Sequence, residues 1–224
     1  MNTITATRDD GLRGYMLKVY NWMSAGLAVT GLVAWGMFTT GLAALMATSM
    51  LATIVIALSP LLVIVAMWFV PNNPVVHGAL FLTLATLMGM SMSTIFLTYS
   101  LGTIFQAFFA TAVGFLGASL FGYVTKKDMS AMGTFFTVGL FGLIGLMILN
   151  IFIVSTVFTL VVSGLGVLLF AGLTAYDTQK IKDTYTRGYG SDVAAIQGAL
   201  GLYLDFINMF LHILRILGIF GSDD

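Results

Sequence analysis

Two aspartates stand where carboxylates are costly. Asp177 closes an apolar run in Ala175-Tyr176-Asp177-Thr178-Gln179, and Asp205 lies inside another in Leu202-Tyr203-Leu204-Asp205-Phe206-Ile207-Asn208. A carboxylate within a bilayer costs about 2.5–3.5 kcal/mol on insertion scales, so it faces the protein interior, pairs, or takes up a proton. If the two meet in a low-dielectric site, both charges cannot persist, and the pair holds a single proton that answers to pH. Two oxygen-rich side chains on one cavity also suit a hard cation. Calcium takes six to eight oxygens, so water and backbone carbonyls would supply most of them, which means the weak, transient binding that permeation needs. The plainer readings are a helix-end charge reaching water beside Lys180 for Asp177, and a structural hydrogen bond to a neighbouring helix for Asp205.

The spacing around these residues sharpens the picture. Ala194, Gly198, Gly201, Asp205, Asn208, His212 and Arg215 follow one another at intervals of three and four, which keeps them on one helix face. Thr159, Ser163, Gly166, Phe170, Thr174 and Asp177 share a face in the preceding run. The cheapest arrangement in lipid turns the two stripes toward each other, so Thr174, Asn208, His212 and Arg215 are candidate cavity-lining residues beside the acid pair. The two runs are antiparallel neighbours joined by a short polar turn, which brings the acids to depths within roughly two turns of one another.

The elements that must position these residues are membrane spans. Of 224 residues 59% are hydrophobic and 8% charged, with a mean hydropathy of +1.02; a soluble domain carries about 25% charged residues and has too little interior for so much apolar surface. Seven runs have the roughly 20 apolar residues a spanning helix needs: 21–41, 51–70, 75–98, 101–123, 132–152, 155–177 and 194–218. Their continuity is unlike the alternation of a membrane β-barrel. The predicted fold is therefore an all-α membrane protein of seven transmembrane helices. A polar N-terminal tail (1–20) is expected before the transmembrane domain (21–219) and a short tail (220–224) after it. The first apolar run reads as a retained span, since the polar stretch ahead of it lacks the features of a cleaved leader. Residues 42–50 fit a loop, an interfacial turn or an early start of the second span, and Ser59-Pro60 predicts a kink. Small residues at Ala110, Gly114, Ala118 and Gly122 predict a close-packing face on the fourth span; Gly139, Gly142 and Gly145 do so on the fifth, and Met88, Met90 and Met92 read as packing residues.

Other chemistries fit poorly. A net charge of zero offers no basic surface for nucleic acid, and the absence of Cys excludes disulfides and thiolate ligands. No catalytic function and no resident cofactor is expected. Intramembrane aspartyl proteases pair Tyr-Asp on one span with Gly-x-Gly-Asp on the next; Tyr176-Asp177 fits the first half, but Leu202 and Leu204 stand at the glycine positions of the second.

The segment Gly172-Leu-Thr-Ala-Tyr-Asp-Thr-Gln-Lys-Ile-Lys182 resembles the hallmark of the Bax inhibitor-1 family, and Leu202-Tyr-Leu-Asp-Phe-Ile-Asn-Met-Phe210 resembles its last span. Gly11-Leu-Arg-Gly-Tyr-Met16 and Ser59-Pro60 are similar to its bacterial members. The resemblance implies a fold with the last helix central and a place in the bacterial inner membrane. It implies pH-sensitive calcium leak, as in some members, with Asp177 and Asp205 as the proton-sharing pair that gates the cytoplasmic mouth and transiently meets the ion. Other bacterial relatives are tied to control of a membrane-bound protease. The alternative reading is thus a non-conducting protein whose partner, besides lipid, is another membrane protein. Leak channels of the family lock the pair with an arginine in span two; here residues 51–70 contain no Lys or Arg, and His212 and Arg215 lie about 10 and 15 Å past Asp205 along its helix.

Orientation follows from the basic residues. Arg8, Arg13 and Lys18 precede the first span, Lys126 and Lys127 follow the fourth, and Lys180, Lys182 and Arg187 follow the sixth, so eight of nine lie on one side; Arg215 is inside the last run. This predicts a cytoplasmic N-terminus. A reporter inserted beside Arg187 is expected to read cytoplasmic, and an extracytoplasmic signal there would reverse the orientation.

Overall fold

In the computed structural model, residues 2–153 and 155–221 are described, with side chains from Asp10 onward. The described chain forms helices α1 (Asn2–Thr39), α2 (Leu42–Ala47), α3 (Met50–Phe69), α4 (Pro74–Met92), α5 (Ile95–Thr98), α6 (Leu101–Val124), α7 (Met132–Phe152), α8 (Thr156–Thr186) and α9 (Asp192–Phe220). Seven spans are long and apolar enough to cross a membrane, α4 and α5 together making one of them. The stretch after α1 resolves into the one-and-a-half-turn α2. The expected C-terminal tail falls mostly outside the described residues, Asp223 and Asp224 included.

The expected separate N-terminal tail is corrected. Helix α1 runs through it, and Tyr15, Met16 and Val19 are buried. They continue the helical period of Met23, Gly26 and Thr30, while Arg13 and Lys18 point outward between them. Basic residues make the stretch look like a tail, but Arg13 and Lys18 interrupt only its exposed face.

Helix ends follow local chemistry. Asn73 caps α4, its side chain accepting from the Val75 amide at 2.8 Å, and Pro74 takes the first position, where no N–H is needed. Gly188, at φ 86°, ends the turn after α8 in the left-handed conformation, and Ser191 accepts from the Ala194 amide to open α9. Pro60 sits within α3, which continues unbroken through it. Proline cannot donate to the Ile56 carbonyl, and the Ser59 hydroxyl donates to it instead at 2.8 Å.

The chain divides into two compact units, one comprising the chain through Ser100 plus Thr184–Tyr203, the other Leu101–Asp183 plus Leu204 onward. In the first, α1 and α4 interlock through glycines. A Cβ on Gly26 would strike Phe81, one on Gly78 would strike Trp22, and one on Gly89 would strike the Thr30 carbonyl and Val33. The Thr30 hydroxyl donates to the Ala85 carbonyl at 2.9 Å, so in the 2.7 Å contact between Thr30 and Tyr203 it is the phenol that donates. Phe81 meets Tyr203 edge-on at 5.6 Å.

In the second unit, Leu143, Val162, Phe170 and Met209 form one core cluster and Met129, Phe136 and Ala175 another. Phe206 packs edge-on against Phe108 and Phe115 at 5.7 and 5.5 Å. The small-residue face expected on α6 is corrected as well. Ala110 and Gly114 are exposed, and the buried face is Ile104, Ala107, Thr111, Phe115, Ser119 and Gly122. Phe115, seated on Phe206, sets the rotation of α6 and carries Ala110 and Gly114 outward; Ala118 is half-buried, and Gly122 packs as expected, against the Ala175 backbone. On α7, Gly139 lies against Leu169, whereas Gly142 and Gly145 face open space.

Helix α9 is the most buried span: half of its most apolar window is inside the protein, against 33% or less in every other. The buried backbone of Ala175 cannot yield to a side chain on Gly122, whereas nothing lies near Gly117. Gly122→Val is therefore expected to cost about 1–3 kcal/mol or more and to lower the unfolding temperature in detergent, with Gly117→Val close to wild type. Equal melting of the two variants would contradict this packing.

Candidate functional site

The candidate site lies within the second unit, between α8 and the Leu204–Phe220 part of α9. Asp205 is 5% exposed. The Thr174 hydroxyl is near enough to act on its carboxyl, and the charge of Asp177 bears on it as well. Asp177 is half-buried, with Lys180 one turn further along α8 near enough to attract it. The structure thus gathers Asp177, Asp205 and Thr174. The two polar stripes face each other here because turning either outward would put carboxylate and hydroxyl groups into lipid.

Thr174 gives the pair a defined chemistry. Its hydroxyl donates to the Phe170 carbonyl at 2.8 Å. A hydroxyl has one proton and two lone pairs. While that proton is held by Phe170, Thr174 can only accept from the carboxyl, which needs a protonated acid. With Asp205 ionised, the Thr174 proton must leave the helix carbonyl to serve it. The hydroxyl therefore has two arrangements, one for each protonation state of its neighbour.

Beyond the acids the stripe continues to His212, 3% exposed. Its ring stacks on Phe170 at 6.0 Å between centroids and 28° between planes, and it occupies the space that a side chain on Gly166 would fill. Arg215 is half-buried and close enough for its charge to act on this ring. Asn208 is half-buried and turns its amide to its own helix, donating to the Leu204 carbonyl at 2.8 Å, so it is the one stripe member of α9 tied to local backbone. Asp205 Oδ2, His212 Nδ1 and Ser163 Oγ are buried without a hydrogen-bond partner among the described residues. All three belong to the facing stripes. Among the described residues no group of three or more His, Asp or Glu side chains gathers as a metal cluster.

The sequence reading passed over two residues that hold the polar end of α8. Gln179 is buried; its Oε1 accepts from the Met129 amide at 2.8 Å and its Nε2 donates to the Lys127 carbonyl at 2.9 Å. Lys182 donates to the Tyr123 carbonyl at 2.8 Å and lies over the Tyr123 ring. Just before them on α8, Thr178 meets Ser119 at 3.0 Å. These contacts tie the turn of α8 just past Asp177 to the end of α6 and to the loop before α7. Their partners are mostly backbone atoms, which leave no trace in the sequence; the only available signal was a long amide within Asp177-Thr178-Gln179-Lys180, on the face of buried Ala175 and Thr178.

The sequence has counterparts in other organisms. A family profile described as "Inhibitor of apoptosis-promoting Bax1" matches residues 12–222. Uncharacterised protein YrjE of Lactococcus lactis is 40% identical, covering 99% of this chain and 97% of its own. Uncharacterised protein RP147 of Rickettsia prowazekii is also 40% identical, covering 95% and 92%. Inner membrane protein YbhL of Escherichia coli K12 is 37% identical, covering 93% and 92%.

Gln179→Leu leaves the Met129 amide and the Lys127 carbonyl without their buried partner, at about 1–3 kcal/mol. Amide hydrogen exchange at Met129 is expected to accelerate by one to two orders of magnitude, roughly the same energy expressed as a rate. Unchanged exchange there would remove Gln179 as the anchor of this loop.

Proposed function

The chain belongs to the Bax inhibitor-1 family, and on that premise we propose that it is a pH-sensitive cation leak channel, with calcium as the permeant ion and the Asp177–Asp205 pair as its gate. The observation that carries this reading is a buried Asp205 exposed to the charge of a second carboxylate, with a hydroxyl that can serve either protonation state. The proposed place is the inner membrane, as in the name of YbhL, with the N-terminus cytoplasmic as the basic residues favour.

In the closed state one proton is shared by the pair, and Thr174 accepts from it while holding the Phe170 carbonyl. When the proton leaves, two carboxylates repel in a medium that screens them poorly. The repulsion parts α8 from α9 at this level, and the same oxygens then face a passing cation. Calcium would meet two carboxylates and complete its shell from water and carbonyls, so it binds weakly and moves on. The unpartnered polar atoms of His212 and Ser163 support a polar lane past the acids. Span α3 has no Lys or Arg to lock the pair, so basal leak is higher than in a relative that has one.

A second reading, a non-conducting protein that modulates another membrane protein such as a membrane-bound protease, draws on one observation. Ala110, Gly114 and Gly117 of α6 are exposed, a smooth surface that admits a foreign helix.

Pure protein in liposomes with a calcium-sensitive dye separates the two. Flux is expected to rise with pH. Asp205→Asn and Asp177→Asn should each abolish the pH dependence, and the double variant should add little to either, because the two residues act as one unit. Wild-type pH dependence in both single variants would end the shared-proton gate, and no flux at any pH would favour the interaction protein.

A further inference from the structure

Away from the acid pair, the first unit carries a groove of about 480 Å³ between α1, α4 and the start of α9. One end is charged. Lys18 Nζ donates to Asp192 Oδ1 at 2.6 Å, with both side chains largely exposed. Pro74 and Asp192 border the groove at this end, and each is the first residue of its helix, α4 and α9. The groove then runs along the helix axes into apolar territory. Trp22 follows Lys18 by about 6 Å on α1, Ile196 follows Asp192 by about 6 Å on α9, and Leu82 follows Pro74 by about 12 Å on α4, at 1.5 Å per residue. The Trp22 ring lies over Gly78, where any side chain would displace it, so the absence of a Cβ shapes the wall.

Charge at the helix ends and an apolar trough below them is the polarity of a lipid standing in its leaflet. We propose that this groove is a specific site for a phospholipid with a primary-ammonium headgroup, phosphatidylethanolamine. The Lys18–Asp192 pair is what selects it. An ammonium group has three donors and Lys18 places one on Asp192, so it can also meet the lipid phosphate; Asp192 Oδ2 can accept from the lipid ammonium. The four charges then alternate. A purely anionic headgroup meets Lys18 favourably but Asp192 unfavourably. Choline, whose nitrogen bears no hydrogen, cannot donate to the carboxylate. The glycerol and the head of one acyl chain lie along Trp22, Ile196 and Leu82. A Trp ring at this level suits the membrane interface. None of these residues belongs to the acid pair, so the site stands whether or not the protein conducts.

The test is native mass spectrometry of the full chain in detergent, titrated in turn with phosphatidylethanolamine, phosphatidylcholine and phosphatidylglycerol of identical acyl chains. Wild type should retain the ethanolamine lipid about fivefold better than either of the others, the scale of one partly exposed charge-assisted contact. Asp192→Ala, which removes the acceptor oxygens, should erase the preference over choline. Lys18→Gln should weaken retention of all three, and Ala79→Trp, at an exposed lining position of the groove, should displace the lipid by bulk. Equal retention of the three lipids by wild type overturns the proposal. So does an ethanolamine preference that survives Asp192→Ala, or retention unaffected by Ala79→Trp. Lys18 and Asp192 are exposed, so their variants fold even if the groove-filling one does not.

Discussion

No water is available in the middle of a bilayer, so each polar atom placed there must find a partner within the protein. The structure reads as a set of answers to that demand. The Tyr203 phenol donates to Thr30, which itself donates to the Ala85 carbonyl, so two hydroxyls close one buried chain across α1, α4 and the start of α9. Ser59 serves the carbonyl that Pro60 leaves open. Threonines along α4, α6 and α7 return their hydroxyls to the carbonyl four residues back, at 2.7–2.9 Å. Against that background the few buried side-chain atoms without a protein partner among the described residues stand out, and Asp205, His212 and Ser163 hold three of the four.

How much of this was legible follows the same physics. Seven spans could be read because a continuous apolar run of span length has few other solutions. The facing stripes of α8 and α9 could be read because strongly polar residues at three- and four-residue spacing must be buried together. The buried face of α6 could not. Small residues at every fourth position suggest close approach wherever they fall, but Phe115 and its seat on Phe206 set the rotation, and that contact joins residues far apart in sequence. The start of α1 was hidden by charges on its outer face. The α1–α4 interlock was hidden because Gly26, Gly78 and Gly89 make no regular pattern within either helix; each matters only for what the other helix puts above it.

The contacts past Asp177 divide α8 into two mechanical parts. Thr178, Gln179 and Lys182 fasten its polar end to α6 and the following loop, three attachments within about one and a half turns. Above them, the contacts around Phe170 are apolar: it packs with Leu143, Val162 and Met209 and stacks on the ring of His212.

Helix length has a further consequence. At 1.5 Å per residue the 20 residues of α3 measure about 30 Å, close to the hydrocarbon thickness of an ordinary membrane. The 31 residues of α8 measure about 46 Å. The longer helix accommodates a change of thickness by tilting or by moving its polar end, which carries Lys180, Lys182 and Asp183, along the membrane normal. The shorter one has no such reserve. In a thicker membrane it must draw the lipid inward, and in a thinner one it exposes Trp68 and Phe69. Acyl-chain length therefore strains the two spans unequally, and the protein carries within its own proportions a gauge of the membrane that surrounds it.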